Sequence, residues 1–302
     1  MSVKKKGLYI GALAATFLWG SAFPCVKVGY NWLGIHGSDT GSQLLFAGIR
    51  FLLAGVSVLL AGSLKEKRNL LSRQSKISGK NLKILLLLAL TQTFLQYFFY
   101  YIGLAHVTGT KGSIMNSLGT LFTVIFGMIY YKTRPEAGKI AGVFLGLSGV
   151  ILACFSGTGM EFHFAGEGAL FLSAIFIAIG NIVNKKACAG QNPFLVTGFH
   201  LGVGGFLLFL VGVFMGGSLQ VNDVKTVLLI CYMIFISAAG FGIWSFLLKS
   251  YPVEKVAVFM FLTPVFGTLL SGVILGEPLK LSMFIALFFV CIGIILVQRE
   301  KA

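Results

Sequence analysis

Hydrophobic residues along this chain fall in long unbroken runs, parted by short breaks that carry Gly, Pro, Asn, Asp or Lys. Ten runs reach the length of a membrane span, which needs about 20 residues at helical rise. They cover 8–29, 43–62, 82–104, 109–130, 137–156, 167–184, 194–216, 226–248, 256–275 and 280–297. Polarity does not alternate within a run, so the pattern predicts helices and excludes the strands of a membrane barrel. The first run follows Lys4, Lys5 and Lys6 but is too long for the apolar segment of a signal peptide. Pro24 before Cys25 also spoils a lipoprotein cleavage site, so the run reads as a retained first helix. The expected fold class is an all-α membrane protein with ten transmembrane helices.

Composition agrees. Of 302 residues, 57% are hydrophobic and 11% charged, with a mean hydropathy of +0.91. Soluble domains carry roughly 25% charged residues. A soluble enzyme, a disordered chain and a secreted disulfide scaffold are therefore excluded. The net charge is +15, from 24 Lys and Arg against nine Asp and Glu. These basic residues lie between apolar runs, where they set orientation rather than bind nucleic acid. With the N-terminus inside, nineteen fall on the cytoplasmic side and four, Lys27, Lys111, Lys225 and Lys280, fall outside, while Arg50 lies within helix 2. That split predicts a multi-pass protein of the cell membrane with both termini cytoplasmic. Tyr9, Tyr30, Trp32, Tyr130 and Tyr131 lie near helix ends, as interface anchors should. The basic stretch Lys65 to Lys83 reads as a cytoplasmic loop that fixes topology. The five cysteines, Cys25, Cys154, Cys188, Cys231 and Cys291, are scattered without a CxxC, which predicts free thiols and no metal site. No HExxH, Walker A or dinucleotide-binding context appears, so neither a cofactor nor ATP is expected.

The chain also carries traces of a repeat. A shift of 158 matches Lys27 with Lys185 at the ends of helices 1 and 6. A shift of 144 aligns Leu118-Gly119-Thr120-Leu121-Phe122 with Leu262-Thr263-Pro264-Val265-Phe266, and Lys111 with Lys255. Five helices per half is an odd number, so the halves would lie antiparallel, as in many secondary transporters. The expected units are residues 1–156 and 157–302.

Trp19-Gly20-Ser21-Ala22-Phe23 ending in Lys27, Arg50-Phe51 in helix 2, and Leu262-Thr263-Pro264-Val265-Phe266 followed by Leu275-Gly276-Glu277-Pro278 resemble the EamA-type members of the drug/metabolite transporter superfamily. The likeness covers nearly the whole chain as two EamA domains. It implies a ten-helix inverted-repeat carrier, with helices 1–4 and 6–9 around a central cavity and helices 5 and 10 at the periphery. It also implies export of amino acids, metabolites or drugs. The first half departs from the pattern. Thr120 stands where the family often has a Pro, and Lys132-Thr133-Arg134-Pro135 where it often has Gly-Glu.

Polar groups in hydrocarbon are costly and usually face a cavity or a partner. Arg50 either clamps a carboxylate or bonds backbone carbonyls, and the sequence favours neither. His200 in helix 7 stands at a comparable depth, open to a substrate or proton role or to a bond with a neighbouring helix. Gln92, Gln96 and Tyr100 follow at i, i+4 and i+8, which puts them on one face of helix 3, with Thr93 and Tyr97 beside them. Trp244 in helix 8 matches Tyr100 under the 144 shift, and Trp19 offers a third ring. Asn116 and Asn181 complete the pathway candidates. Pro24 and Pro264 are hinge candidates, because each frees the carbonyl four residues back. Gly138, Gly142, Gly146 and Gly149 mark a close-packing face, within the carrier or between two copies of the chain. Gly146-Leu147-Ser148-Gly149 also matches the nucleophile motif of rhomboid proteases, which need a facing His. His200 is the sole embedded candidate for that role. All nine carboxylates lie at helix ends or in loops, and Glu167 at the outer mouth of helix 6 is the nearest to the midplane.

The expected function is a secondary transporter, not an enzyme, that exports amino acids or other small metabolites by alternating access. A lipid-carrier flippase of the same fold and an intramembrane protease are the competing readings. Expected partners are a small-molecule substrate and the lipid bilayer, with a second copy of the chain as a further candidate.

Overall fold

The computed structural model describes residues 3–66, 79–132, 136–155, 163–189, 191–251, 256 and 258–298. Most of the basic loop (67–78), the turn at 133–135 and Lys255 lie outside the described residues. Ten helical rods follow one another, with no strand among the described residues. Helix α1 is Val3–Trp32 and α2 is Thr40–Glu66. Helix α3 starts as Gly79–Leu88, widens into a π-helical segment Ala89–Leu95 and finishes as Gln96–His106. Helix α4 joins Gly109–Asn116 to Leu118–Tyr131 at Ser117, and α5 is Ala137–Cys154. Helix α6 opens on a π-helical segment Phe164–Gly168 and continues as Ala169–Cys188. Then come α7 (Pro193–Phe214), α8 (Val224–Ser250), α9 (Leu262–Leu275, entered through the 3-10 turn Val258–Phe261) and α10 (Leu281–Gln298).

Among the described residues, seven of these rods, α1 to α4 and α6 to α8, are long and apolar enough to cross a bilayer. The stretches Ala137–Ala153, Phe259–Leu275 and Leu281–Val297 are apolar but shorter. Local chemistry starts the helices where polar residues interrupt the apolar runs. Asp39 accepts from the Ser42 amide (3.0 Å), Thr108 from the Lys111 amide (3.1 Å) and Asn192 from the Phe194 amide (2.9 Å) ahead of Pro193. Asp223 accepts from both the hydroxyl and the amide of Thr226, and these bonds hold its carboxyl below the usual range. Gly276 ends α9 with φ +65, a left-handed conformation that a side chain resists.

The rods form a ring with an outer pair. Helix α2 lies on α7, α1 lies between α8 and α9, and α6 lies between α3 and α4. The first half of α4 touches α9, the π-helical segment of α3 touches α7, and α5 packs on α10. Two glycine stripes allow the α2–α7 approach. Gly41, Gly48 and Gly55 recur every seven residues on α2, and Gly198, Gly205 and Gly212 do so on α7. A side chain at Gly48 would strike the backbone of Phe209, one at Gly205 the backbone of Leu52, and one at Gly55 the backbone of Gly202. The stripe expected on α5 packs inside the chain. Gly142 meets Gly293 and Leu296, and Gly149 meets Ala286 and Val290, all from α10, whereas Gly138 faces open space. The cysteines Cys25, Cys188, Cys231 and Cys291 are free thiols.

Close packing of small residues drives membrane helices together, since lipid tails compete for apolar contact. Gly55→Ala should therefore destabilise the protein by about 1–3 kcal/mol, the cost of overpacking. Gly202→Ala meets no atom within 4 Å of the new carbon and should leave stability unchanged. Thermal unfolding in detergent checks the pair, and equal midpoints for both variants would contradict the packing described.

Candidate functional site

The widened turns of α3 aim neighbouring residues at different helices, a frequent use of π-helical segments. Gln92 donates from Nε2 to Asn181 Oδ1 on α6 (3.0 Å), and Asn181 Nδ2 donates in turn to Thr123 on α4 (2.9 Å). Thr93, the next residue, shares a 2.8 Å hydrogen bond with His200 Nδ1 on α7. One turn further, Gln96 makes no side-chain hydrogen bond among the described residues. Tyr100 turns its ring to Phe23 of α1, with centroids 5.8 Å apart. The single face expected for Gln92, Gln96 and Tyr100 is thus divided between α6 and α1.

Arg50 is buried (3% exposed) and donates from Nε and one terminal nitrogen. Its Nε donates to Ser237 Oγ (2.8 Å) and to the Met233 carbonyl (3.2 Å) on α8, and a terminal nitrogen donates to Tyr101 OH on α3 (3.1 Å). The guanidinium also lies 4.7 Å from the Phe51 ring centroid. It therefore ties α2, α3 and α8 together. Trp19 meets Trp244 (5.2 Å) and Phe241 (5.4 Å) of α8, and Phe241 meets His200 (5.8 Å). The structure thus brings Trp19, Trp244 and His200 into one aromatic group. Trp19 Nε1 and Gln92 Oε1 are buried without a hydrogen-bond partner among the described residues. Asn116, half-buried on α4, also makes no side-chain hydrogen bond among the described residues. Pro24 sits inside an unbroken α1, and Pro264 sits in the first turn of α9, just after the 3-10 turn.

The end of the bundle where α3 passes to α4 holds residues that the sequence did not single out as a group. Lys27 of α1 donates to the carbonyls of Leu104 (3.2 Å) and Val107 (2.9 Å) at the end of α3. Glu277, after α9, accepts from the amides of Gly109 (2.6 Å) and Thr110 (2.8 Å) at the start of α4, where a helix presents unpaired N–H groups and positive charge. Lys111 pairs with Glu167 of α6, and Glu167 also accepts from the His163 amide (3.0 Å). Five segments are joined there by charge-assisted bonds. Sequence signals existed in Lys27, Lys111 and Glu167 as isolated charges, but nothing local linked Glu277 to Gly109. The protease reading finds no matching geometry. Ser148 is exposed and donates to the Phe144 carbonyl of its own helix, while His200 is bound to Thr93.

An all-helical bundle in which seven rods are long and apolar enough to cross a bilayer has the architecture of a multi-pass membrane protein. The sequence model of the EamA-like transporter family matches residues 6–155 and again 164–299. The chain belongs to the EamA-like transporter family. It is 28% identical over 281 residues to a probable amino-acid metabolite efflux pump of Salmonella typhimurium, covering 89% of this chain and 87% of that one. A protein of the same description from Escherichia coli is 25% identical over 298 residues, covering 94% and 92%. An uncharacterized transporter of Archaeoglobus fulgidus is 22% identical across 96% of this chain and 98% of its own. A crystal structure with 18% identity superposes with a TM-score of 0.66 over 96% of each chain, which shows the shared fold.

The two roles left open for Arg50 make opposite predictions without any substrate present. Arg50→Ala strands the Tyr101 hydroxyl in the interior, while Ser237 keeps its bond to the Met233 carbonyl (3.3 Å), and the change should cost about 1–3 kcal/mol of stability. Thermal unfolding of substrate-free protein reads this, and an unchanged midpoint would return Arg50 to the substrate.

Proposed function

We propose that the protein is a secondary carrier that exports amino acids or other small metabolites from the cytoplasm by alternating access, without ATP. One observation carries this reading. One end of the bundle, the outer end in this reading, is held shut by side-chain contacts from both halves of the chain, and it stands over polar groups that have no hydrogen-bond partner among the described residues. A buried donor or acceptor without a partner is costly, so such groups belong where a substrate or water can reach them. Gln96, Asn116, Tyr100 and Trp19 are the contacts offered to substrate. Gln92, Asn181, His200 and Arg50 brace the walls, and Trp244 backs Trp19. The names of the Salmonella and Escherichia relatives support amino-acid metabolites as cargo.

The carrier is two inverted five-helix repeats, 1–156 and 157–302. Two features support this. An offset of 157 carries Gly41, Gly48 and Gly55 onto Gly198, Gly205 and Gly212. Exchanging each helix for the one five places on also maps the packing onto itself, since α1 with α8 and α9 becomes α6 with α3 and α4. In this reading both termini face the cytoplasm of a cell membrane. The chain swings about Pro24 in α1 and about the entry to α9 at Pro264. Opening outward breaks Lys111–Glu167 and pulls Glu277 off α4.

Proteoliposomes loaded with single amino acids test the proposal by counterflow of radiolabel without ATP. Gln96→Ala and Asn116→Ala should each slow exchange by about tenfold, the worth of one hydrogen bond to substrate. Gly138→Ala, in open space, should not. Lys111→Glu and Glu167→Lys should each impair exchange, and the double exchange of charge should restore it. A panel in which no amino acid or metabolite moves, or full exchange in both Gln96→Ala and Asn116→Ala, refutes the carrier or its site respectively.

A further inference from the structure

One face of α6 lines a groove that the transport reading does not use. At 3.6 residues per turn, Ile179, Ile182 and Lys186 lie opposite Ser173, Ile177 and Asn181. The latter three face the interior, where Ile177 meets Gly119 and Asn181 meets Thr123 and Gln92. With Leu87 of α3 and Ile129 and Tyr130 of α4, the outward face encloses a cleft of about 510 Å³. Leu87, Ile129 and Tyr130 are exposed at its sides. At its lysine-rich end the cleft runs into a smaller polar pocket lined by Asn81, Gln191 and again Lys186.

An apolar groove selects nothing by itself in a bilayer, because lipid tails are as apolar as leucine. Selection has to come from the polar end, and that end is basic. Lys186 lies over the Tyr130 ring (4.5 Å) and Lys185 over the Tyr131 ring (4.8 Å). Neither pairs with a carboxylate among the described residues. Lys83 stands exposed beside Ile84, which lines both cavities. Basic pockets between membrane helices on the cytoplasmic side suit anionic lipid head groups. The polar face of α6 points the other way, so the groove is walled off from the substrate path.

We propose that this groove seats an anionic glycerophospholipid from the leaflet at the lysine-rich end, with its phosphate on Lys186 beside Asn81 and Gln191 and one acyl chain along Ile179, Ile182 and Ile129. A chain held there would fill the space where α6 stands between α3 and α4.

Native mass spectrometry of the purified full-length protein, offered phosphatidylglycerol or phosphatidylcholine in equal amounts, tests this. The unaltered protein should retain phosphatidylglycerol over phosphatidylcholine by about fivefold, the share of roughly one lysine. Lys186→Gln should bring the two to parity. Ile182→Trp, which fills the apolar part, should reduce retention of both lipids. Lys139→Gln, at the same end but on α5, should keep the preference. Equal retention by the unaltered protein overturns the proposal, as does a preference that survives Lys186→Gln. The readout is bound lipid, so a carrier that moved none of the amino acids tried would leave this result standing.

Discussion

Two helices lie backbone against backbone only where neither has a side chain at the contact, and α2 and α7 meet that condition along their length. Their glycines come every seven residues, a spacing that keeps one stripe facing a neighbour for several turns. Nothing apolar drives this contact in a membrane, because lipid would serve as well. Its stability rests on close packing, and one added methyl at Gly48, Gly55 or Gly205 meets main-chain atoms rather than a side chain able to yield. Helix α8, held by Arg50 of α2, leans on this pair from one side, and the π-helical segment of α3 leans on it from the other. The polar interior is therefore mounted on a wall that cannot shift by small steps.

The polar residues divide by what holds them. Hydrocarbon offers no partner, so a group in the span must find one in the protein or face water. Arg50 is bound to Ser237, Tyr101 and a carbonyl, Gln92 to Asn181, and His200 to Thr93. These ties stiffen the walls and leave no spare donor on Arg50's Nε. Among the described residues Gln96 and Asn116 lack such ties, and Trp19 keeps an unused N–H. A passage needs both kinds, a fixed frame and a few uncommitted groups. At the end where α3 passes to α4 the arrangement is different. Glu277 meets the start of a helix and Lys27 meets the end of another, so each charge answers a helix terminus rather than a lone partner.

Much of this is legible in the amino-acid sequence. Hydropathy alone placed ten helices, because a span leaves a 20-residue signature that survives without neighbours. The apolar helical stretches of α5, α9 and α10 are shorter than the others. The choice between substrate and scaffold for Arg50 was not legible, since Met233 and Ser237 lie 183 and 187 residues away. The glycine stripes on α2 and α7 were present in the sequence but repeat at seven, whereas the stripe on α5 repeats at four and is the easier to see. The π-helical segment of α3 left no mark either, because Ala89–Leu95 has an ordinary helical composition and is widened by what its side chains reach.

Helix α4 shows why a missing residue type need not mean a missing feature. The second half has Pro264 where the first has Thr120, and a proline removes the N–H that would continue a helix. Yet α4 breaks as well. Ser117 donates from its hydroxyl to the Ile114 carbonyl (2.5 Å), and its amide reaches the same oxygen (3.1 Å). Competition of a serine with the helix ladder bends helices without any proline. The backbone at Ser117 has φ −64 and ψ −20, and Phe261, 144 positions later at the entry to α9, has φ −61 and ψ −22. Both pairs of angles belong to a tightened 3-10 turn. The two halves thus reach the same local geometry at the same offset, one by an excluded N–H and the other by a competing hydroxyl. The shape of the turn recurs where the proline does not.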